Sequence, residues 1–528
     1  MAGLTAAAFA ARSGCRVLLC EKEPVMGGLV NSFERGGFVW DAGIRALEDS
    51  GIILPMLDSL GLSVEFVKSP VSLGIEDKVV SVTSPASLGE YRSLLETLYP
   101  ESRTDIGRII GVIRRVMKHM DVLYGIENPA FKDLLRDREY LVRQLLPWLW
   151  RFLLAIGKIN RMTQPVDEYL RTLTDSQPLI DIISQHFFRK TPSFFALSYF
   201  SLYLDYMYPV GGTGALPRAL ESYCMDAGVE VHKRTRITAV DPIGHVVCDE
   251  RGTAYGYRKL VWAADLKTLY RVSDVDALPP GRGRVRARKR ASLLEESCGG
   301  DSVFSLCVSV DKDPQWFAEK SHGHFFYTAS REGLGSDTYS ALDGVLAHAR
   351  ADAHDRFRAS AVQWIDRYIH STTYEISIPV LKDARLAPAG ETGLIISVLF
   401  DYALLAAADK AGLYEAFRTR IEDTLIDVLD STVYPGLRDA IIDRFSSTPL
   451  TIARTVGSSG GAITGWAFTN PVMPAVRRMQ QVARSVRTDL PDVHQAGQWT
   501  YSPSGLPIAI LTGKLAADAV IRGLRRTC

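Results

Sequence analysis

The 528 residues carry 61 lysines and arginines against 60 aspartates and glutamates, a formal charge of +1, with 47% hydrophobic and 9% aromatic side chains. That balance excludes a general nucleic-acid binder, and the length and apolar content exclude disorder, leaving cores for roughly two to four domains. Seven scattered cysteines, with no CxxC pair and no neighbouring histidine cluster, exclude a zinc site and a disulfide scaffold; no apolar run is long enough to span a membrane, and a reducing cytoplasm is the expected compartment.

In chain order, Ala2–Ala11 predicts a helix, Ser13-Gly14 a stop, and Cys15–Glu21 a short apolar strand ending in an acid, followed by Met26-Gly27-Gly28. Helix, tight turn, strand and terminal acid form the second half of a dinucleotide-binding βαβ unit, in which Glu21 lies where ribose hydroxyls need an acceptor. Glu21 also reads as an ordinary solvated strand end. Of the expected GxGxxG only the third glycine, Gly3, is present. Adjacent glycines such as Gly27-Gly28 let a backbone pass close to a bulky ligand.

Residues from about Gly51 to Leu204 predict mostly helix, with Ile106, Ile109, Ile110, Ile113, Met117 and Met120 on one apolar stripe. The run Leu145–Ile156, with Trp148, Trp150 and Phe152 between Arg143 and Lys158, reads either as a buried helix or as one lying in lipid headgroups. Phe187 to Tyr208 is dense in aromatics, which suits a long conjugated ligand and equally a core. Gly211-Gly212 precedes a helix over Ala215–Ala227 and a strand over Val229–His232, and Val261–Asp265 is a strand whose acid either borders a ligand or caps the next helix.

Six basic residues within Arg282–Arg290 mark a boundary, a solvated loop or an attraction to anionic lipid. Strands over 302–311, 374–378 and 394–399, with an amphipathic helix over 414–429, predict a sheet covered by helices. Finally Gly497 and Gly505-Leu506-Pro507 open a small-residue helix reaching Ile521, whose N-terminus offers unpaired N–H donors.

Taken together, the spans Gly3–Arg45, Tyr208–Arg218 with Thr235–Ile237, Ser458–Trp466 and Gly497–Pro507 resemble, in order, the phytoene desaturase, carotenoid isomerase and retinol saturase group of FAD-dependent oxidoreductases. The resemblance implies an α/β fold with a discontinuous Rossmann-like FAD-binding domain (1–65, 206–275 and 456–528), a mixed α+β substrate domain (276–455) and a helical membrane-facing subdomain (66–205). It implies FAD, held by Gly3, Glu21, Lys22, Gly27, Gly28, Arg45, Ile237, Gly497, Gly505, Leu506 and Pro507. It further implies a hydrophobic isoprenoid or polyene substrate and attachment to the inner face of a membrane. No catalytic residue and no metal ligand is indicated, and the oligomeric state stays open. Absence of a nucleophile–base motif agrees with a reaction carried by the flavin.

The departure from the group is the missing first strand and GxG. The expectation is that the reading frame continues upstream by roughly ten residues and that the present chain binds FAD poorly or not at all and is less stable than the extended form. Rival readings are an amine or protoporphyrinogen oxidase-like flavoenzyme, and a non-catalytic protein of the same fold.

Overall fold

A computed structural model describes residues 1–132, 137–351 and 353–526. The first helix runs Ala2–Arg12, a stretch of alanines with Leu4 and Phe9 that buries nearly all of its length. Its Ala2 and Thr5 meet Gly513 of the final helix, Leu506–Arg526, so tightly that a side chain at Gly513 would strike the Ala2 carbonyl oxygen at 2.5 Å. The strand after it is short, Leu18–Cys20, and pairs in parallel with Glu230–His232. A second parallel pair joins Leu260–Trp262 to Val493–Gln495. Among the described residues no strand joins these two pairs, and the first helix touches one strand of each. Leu216, Leu220 and Cys224 of the helix Ala215–Asp226 seal the opposite flank.

The largest sheet has seven strands, in the order Ile441–Ser447, Ser302–Val310, Thr392–Phe400, Thr373–Ser377, His324–Thr328, Val71–Ile75, Lys78–Val82. Only the His324–Val71 junction is parallel. Alternation gives the sheet two faces. One buries Leu306, Ile396, Ile376 and Phe325 under the helices Thr338–Arg350, His354–Ser371, Tyr402–Lys410 and Tyr414–Ser431. The other carries Ser305, Ser397 and Glu375 in direct register, with His324 and Ser377 in the next row. The hairpin Ser32–Asp41 lies against this second face, Phe38 and Trp40 packing on Cys307 and Ile395.

The helical stretch expected from about residue 51 is therefore interrupted. Its strands Val71–Ile75 and Lys78–Val82 belong to the large sheet, because their valines are covered on one side by helices Ser87–Leu98 and Arg103–Tyr124. The basic run Arg282–Arg290 is helical rather than a loop, within Arg282–Glu296, anchored by buried Ala287 and Leu294 and tied by Arg288–Asp276 and Arg286–Asp489 contacts.

Leu146–Ile159 is a helix following a wider turn over Tyr140–Leu145. It is not buried. Trp148 stacks on Phe152 and donates from Nε1 to the Val122 carbonyl, tucking inward, while Trp150 is 68% exposed and Val142, Leu146, Leu149, Leu153 and Leu154 are exposed beside it. Their spacing is helical, so they form one apolar stripe facing out. Among the described residues no helix is long and apolar enough to cross a membrane.

Candidate functional site

A single cavity of about 2580 Å³ runs between the parallel strand pairs and on to the second face of the large sheet. Every site residue expected from the sequence lines it, except Pro507, which is buried in the first turn of the final helix.

At one end stands Glu21. Its backbone is fixed on both sides, the N–H donating to the His232 carbonyl at 2.9 Å and the carbonyl accepting from Thr235 N–H at 2.8 Å. Oε1 accepts the Glu23 N–H at 3.0 Å, closing the loop that leads to Gly27. Gly27 has φ +115°, and a Cβ there would lie 2.3 Å from the Val30 carbonyl oxygen, so the loop tolerates no side chain. Lys22 points elsewhere: Nζ pairs with Glu23 at 2.6 Å and donates to the Arg454 and Thr455 carbonyls at the end of helix Pro449–Thr455, a favourable place for a cation. It clamps this segment to the large sheet's last helix.

Midway, Gly497, Gly505 and Leu506 bring the N-terminus of the final helix to the cavity wall. Ser458, 4% exposed, lines the same cavity and has an Oγ without a hydrogen-bond partner. Asp265 caps its helix by accepting from Thr268 N–H, and its other oxygen accepts from Ser459 N–H at 2.9 Å, which ties the Gly457–Gly461 turn in place.

The far end is built on the hairpin and the large sheet. Asp41, 2% exposed, accepts from Ser32 Oγ, Thr213 N–H, Thr213 Oγ1 and Tyr208 OH at 2.8–2.9 Å, so one carboxylate joins the hairpin to the Gly211-Gly212 turn. Gly43 then passes so close to Leu29 that a Cβ would sit 2.1 Å from its carbonyl oxygen. This delivers Arg45, 4% exposed, under the cavity floor: its Nη1 donates to the Asp41 carbonyl at 2.5 Å, Nη2 reaches Ser305 and Ser397 at 3.3 Å, and Nε has no partner.

Sequence reasoning missed the groups around Arg45. His324 Nε2 lies 3.1 Å from Glu375 Oε1, off the line of a hydrogen bond, and Nδ1 has no partner. Burial pushes His324 below the usual imidazole range, with Glu375 opposing. Burial alone would raise Glu375, but His324, with Arg45 and Lys382, outweighs it and holds the carboxyl low. Lys382 Nζ donates to the Arg45 carbonyl and to Ser377 Oγ at 2.8 Å, and burial lowers it to about 8. Glu48, which also lines the cavity, is raised by burial to about 7. The available signal was strand alternation: Tyr374-Glu-Ile-Ser sets an acid and a serine on the face opposite Tyr374 and Ile376. Phe188, Tyr199 and Tyr206 complete this end as an aromatic wall.

Among curated relatives, the prolycopene isomerase of Daucus carota is 22% identical over 473 residues, covering 87% of this chain and 69% of its own length. The 4,4'-diapophytoene desaturase of Staphylococcus aureus is 20% identical, with 99% of this chain and 97% of that one aligned. Among solved structures, an oxidoreductase from Methanosarcina mazei superposes with a TM-score of 0.60 at 12% identity, covering 99% and 98% of the two chains. The family described as flavin containing amine oxidoreductase matches residues 1–340. The chain belongs to that flavin containing amine oxidoreductase family and is an FAD-dependent oxidoreductase of Rossmann-like α/β fold.

Proposed function

We propose that the chain uses FAD to change the C–C bonding of an isoprenoid or polyene lipid, by desaturation, saturation or isomerisation. The observation that carries this reading is the cavity: about 2580 Å³ in one continuous volume, against ~300–1,000 Å³ for an ordinary small-ligand pocket, with an aromatic wall at the end away from Glu21. A dinucleotide and a long slender substrate fit end to end. The names of the two relatives, an isomerase and a desaturase of carotenoid-type substrates, support the same class.

The residues present suit FAD. Glu21 accepts from the ribose hydroxyls, the Gly27-Gly28 backbone and the N-terminus of Leu506–Arg526 offer N–H groups to the phosphates, and the unpartnered Ser458 Oγ and Arg45 Nε supply donors toward the ring. Ile237 packs beside the adenine end, and Gly3 keeps the first helix close to Ala263 and Leu19. Bound FAD supplies hydride transfer; the chain orients it, keeps water out and holds protons. In this reading the FAD domain is assembled from 1–65, 206–275 and 456–528. The stripe Val142–Leu154 rests in the headgroup layer of the inner membrane face, and the basic helix Arg282–Glu296 adds attraction to anionic lipid.

One observation favours an amine substrate instead, since the aromatic end of the cavity holds two acids, Glu48 and Glu375, with Tyr199 and Tyr206. Glu375 is already matched by the cations Arg45 and Lys382, and burial raises Glu48 to about 7, so an ammonium finds no fully ionised, unmatched carboxylate at this end. The test is to incubate oxidised and reduced holoenzyme with panels of isoprenoids and of amines, following flavin absorbance and products. Turnover of a polyene is expected; bleaching by amines alone refutes the reading.

A further inference from the structure

Turning a C–C single bond into a double bond removes two hydrogens in unlike forms. One carbon gives up a hydrogen with its bonding pair, as hydride to the bound FAD; its neighbour gives up a proton, and the electrons of that C–H bond become the second bond of the C=C. The proton needs an acceptor in the cavity wall. The carboxylates of that wall are Glu21, Glu23, Glu230 and Asp265 around the parallel strand pairs, Glu375 on the large sheet, and Glu48 three residues after Arg45. Five are already engaged. Glu21 holds the Glu23 N–H, Glu23 the Lys22 ammonium, Glu230 the His232 ring, and Asp265 the Thr268 and Ser459 N–H groups, while Glu375 stands 3.1 Å from His324 with Arg45 and Lys382 acting on it. His324 offers no route, because both its ring nitrogens are closed off from the cavity. Tyr199 and Tyr206 are neutral phenols, too weakly basic to take a proton from carbon.

Glu48 is placed differently. Leu47 and Met207 exchange both backbone hydrogen bonds, at 3.0 and 2.9 Å, an antiparallel bridge that sets Glu48 across from Tyr206, on the side opposite buried Leu47. Tyr206 is held in turn, its carbonyl accepting the Ser69 N–H at 2.9 Å and its ring lying 5.2 Å from that of His324. Glu48 therefore stands at the aromatic end, half-buried in the cavity wall with Tyr199 and Tyr206. Among the described residues no side chain bonds to its carboxyl and no cation pairs with it; its own backbone N–H is the donor set against it. The neighbouring acids are not its equals. Asp49 accepts the Gly51 and Leu54 N–H groups at 3.1 and 2.7 Å, at the start of helix Ile53–Leu60, and Asp205, ending helix Ser193–Asp205, lies outside the cavity lining.

We propose that Glu48 is the catalytic carboxyl that takes the proton when a C–C bond of the substrate is desaturated, and that returns it when the reaction runs toward saturation. This rests on the reading of the chain as a polyene-acting flavoenzyme. Each desaturation moves one hydrogen with two electrons to FAD and one proton to a Glu48 oxygen, which later releases it to solvent. A carboxylate without a cation, in a dry aromatic site, is a stronger base than a matched one, and it becomes neutral as it accepts, so no new charge is left buried on the chain. Burial raises Glu48 to about 7 against its own N–H, with Asp205 and Asp49 adding to the rise, so both forms are populated at neutral pH. The other titratable groups facing it are the phenols of Tyr124, Tyr199 and Tyr206. Glu375, matched by Arg45 and Lys382, stays ionised at the same end, and the two acids receive unlike roles from their surroundings.

Two measurements test this. In the flavin-free full-length chain, infrared difference spectra between pH 5 and pH 9 are expected to contain a protonated-carboxyl band, with a midpoint of about 7, that disappears in Glu48→Gln. If Glu48→Gln removes no titrating band, the proposal is overturned. In anaerobic holoenzyme, bleaching of the flavin by linear triterpenoid and tetraterpenoid hydrocarbons is followed with product analysis, and the return of the flavin band is followed in reduced enzyme mixed with conjugated polyenes. Glu48→Gln is expected to slow the reaction about 10²-fold or more at unchanged flavin content, as for loss of a general base, and to lose the rise of the wild-type bleaching rate through about pH 7. Glu48→Asp, a carboxyl on a shorter stem, is expected to keep part of the rate and to shift that rise toward lower pH. A wild-type rate or an unchanged pH profile in Glu48→Gln overturns the proposal and leaves the functional reading intact, as does a wild type that isomerises polyenes without net change of the flavin. If no isoprenoid or polyene reacts with the wild type, the functional reading fails and the proposal with it. Should Glu48→Gln not accumulate, Glu48→Asp decides: an unshifted profile overturns.

Discussion

Replacing Glu21 by alanine separates its role as a ligand from its role in the fold. The backbone bonds to His232 and Thr235 survive the change, and the side chain contributes only the Oε1 contact to Glu23 N–H, so the strand stays in place. What is lost is the pair of acceptors for the ribose hydroxyls. Charge-assisted bonds contribute ~1.5–3 kcal/mol each. Glu21 is half-buried, which puts both at the low end, about 3 kcal/mol together, or ~10²-fold in Kd. Glu21→Gln keeps the loop contact and one neutral acceptor, and a loss of about tenfold is expected. The assay is FAD release on dilution, followed by the return of flavin fluorescence, with thermal unfolding of the flavin-free proteins as control. If Glu21→Ala holds FAD within twofold of the parent, Glu21 is not the ribose acceptor. If the flavin-free variant unfolds several degrees lower, the loop contact counts for more than argued.

Gly43→Ala places a carbon 2.1 Å from the Leu29 carbonyl oxygen, backbone against backbone, and is expected to abolish soluble expression or lower Tm by several degrees in a thermal melt. Leu149→Ser with Trp150→Ser and Leu153→Ser is expected to leave Tm unchanged, since these side chains face outward, and to halve or worse the fraction that floats with anionic liposomes at low salt. Glu48 has a folded pKa of about 7 against 4.5, so its carboxyl destabilises the fold increasingly as pH rises from 4.5 to 7, and by a constant amount above that. Glu48→Gln is therefore expected to stabilise the flavin-free protein at pH 8 by about 2 kcal/mol, the ~3 kcal/mol implied by the rise discounted for the side chain's contact with the cavity, and to have no effect at pH 4. Urea midpoints at the two pH values check it.

Long periodic elements were legible without the structure: the helices around Ile106–Met120 and Tyr414–Leu429 and the strands at 302–310 and 392–400 fall where their apolar spacing puts them. So was the cavity's first half, because glycines and strand-end acids are local signals. The second half was hidden because it is assembled across the sheet. Ser305, Ser397, Glu375 and His324 come from four strands spread over some 90 residues, and only register makes them neighbours. Leu146–Ile159 was ambiguous for another reason: its composition suits a core, and nothing in a single helix says that only Ala155 and Ile156 are buried while Trp148 tucks in at their side. Arg282–Arg290 misled through charge, since Ala287 and Leu294 suffice to anchor a helix whose remaining surface is solvated.

The parallel junction between Val71–Ile75 and His324–Thr328 sets a timetable for synthesis. The hairpin Val71–Val82 leaves the ribosome about 250 residues before its partner strand. At roughly 5–20 residues per second its outer edge stays open for about 10–50 s. Throughout that interval the Val71–Ile75 edge is offered to any other nascent chain, and the helices Ser87–Leu98 and Arg103–Tyr124 can cover its face but not its unpaired amides. Yield in a heterologous host should therefore respond to translation speed and to holding chaperones more than to the stability of the finished protein.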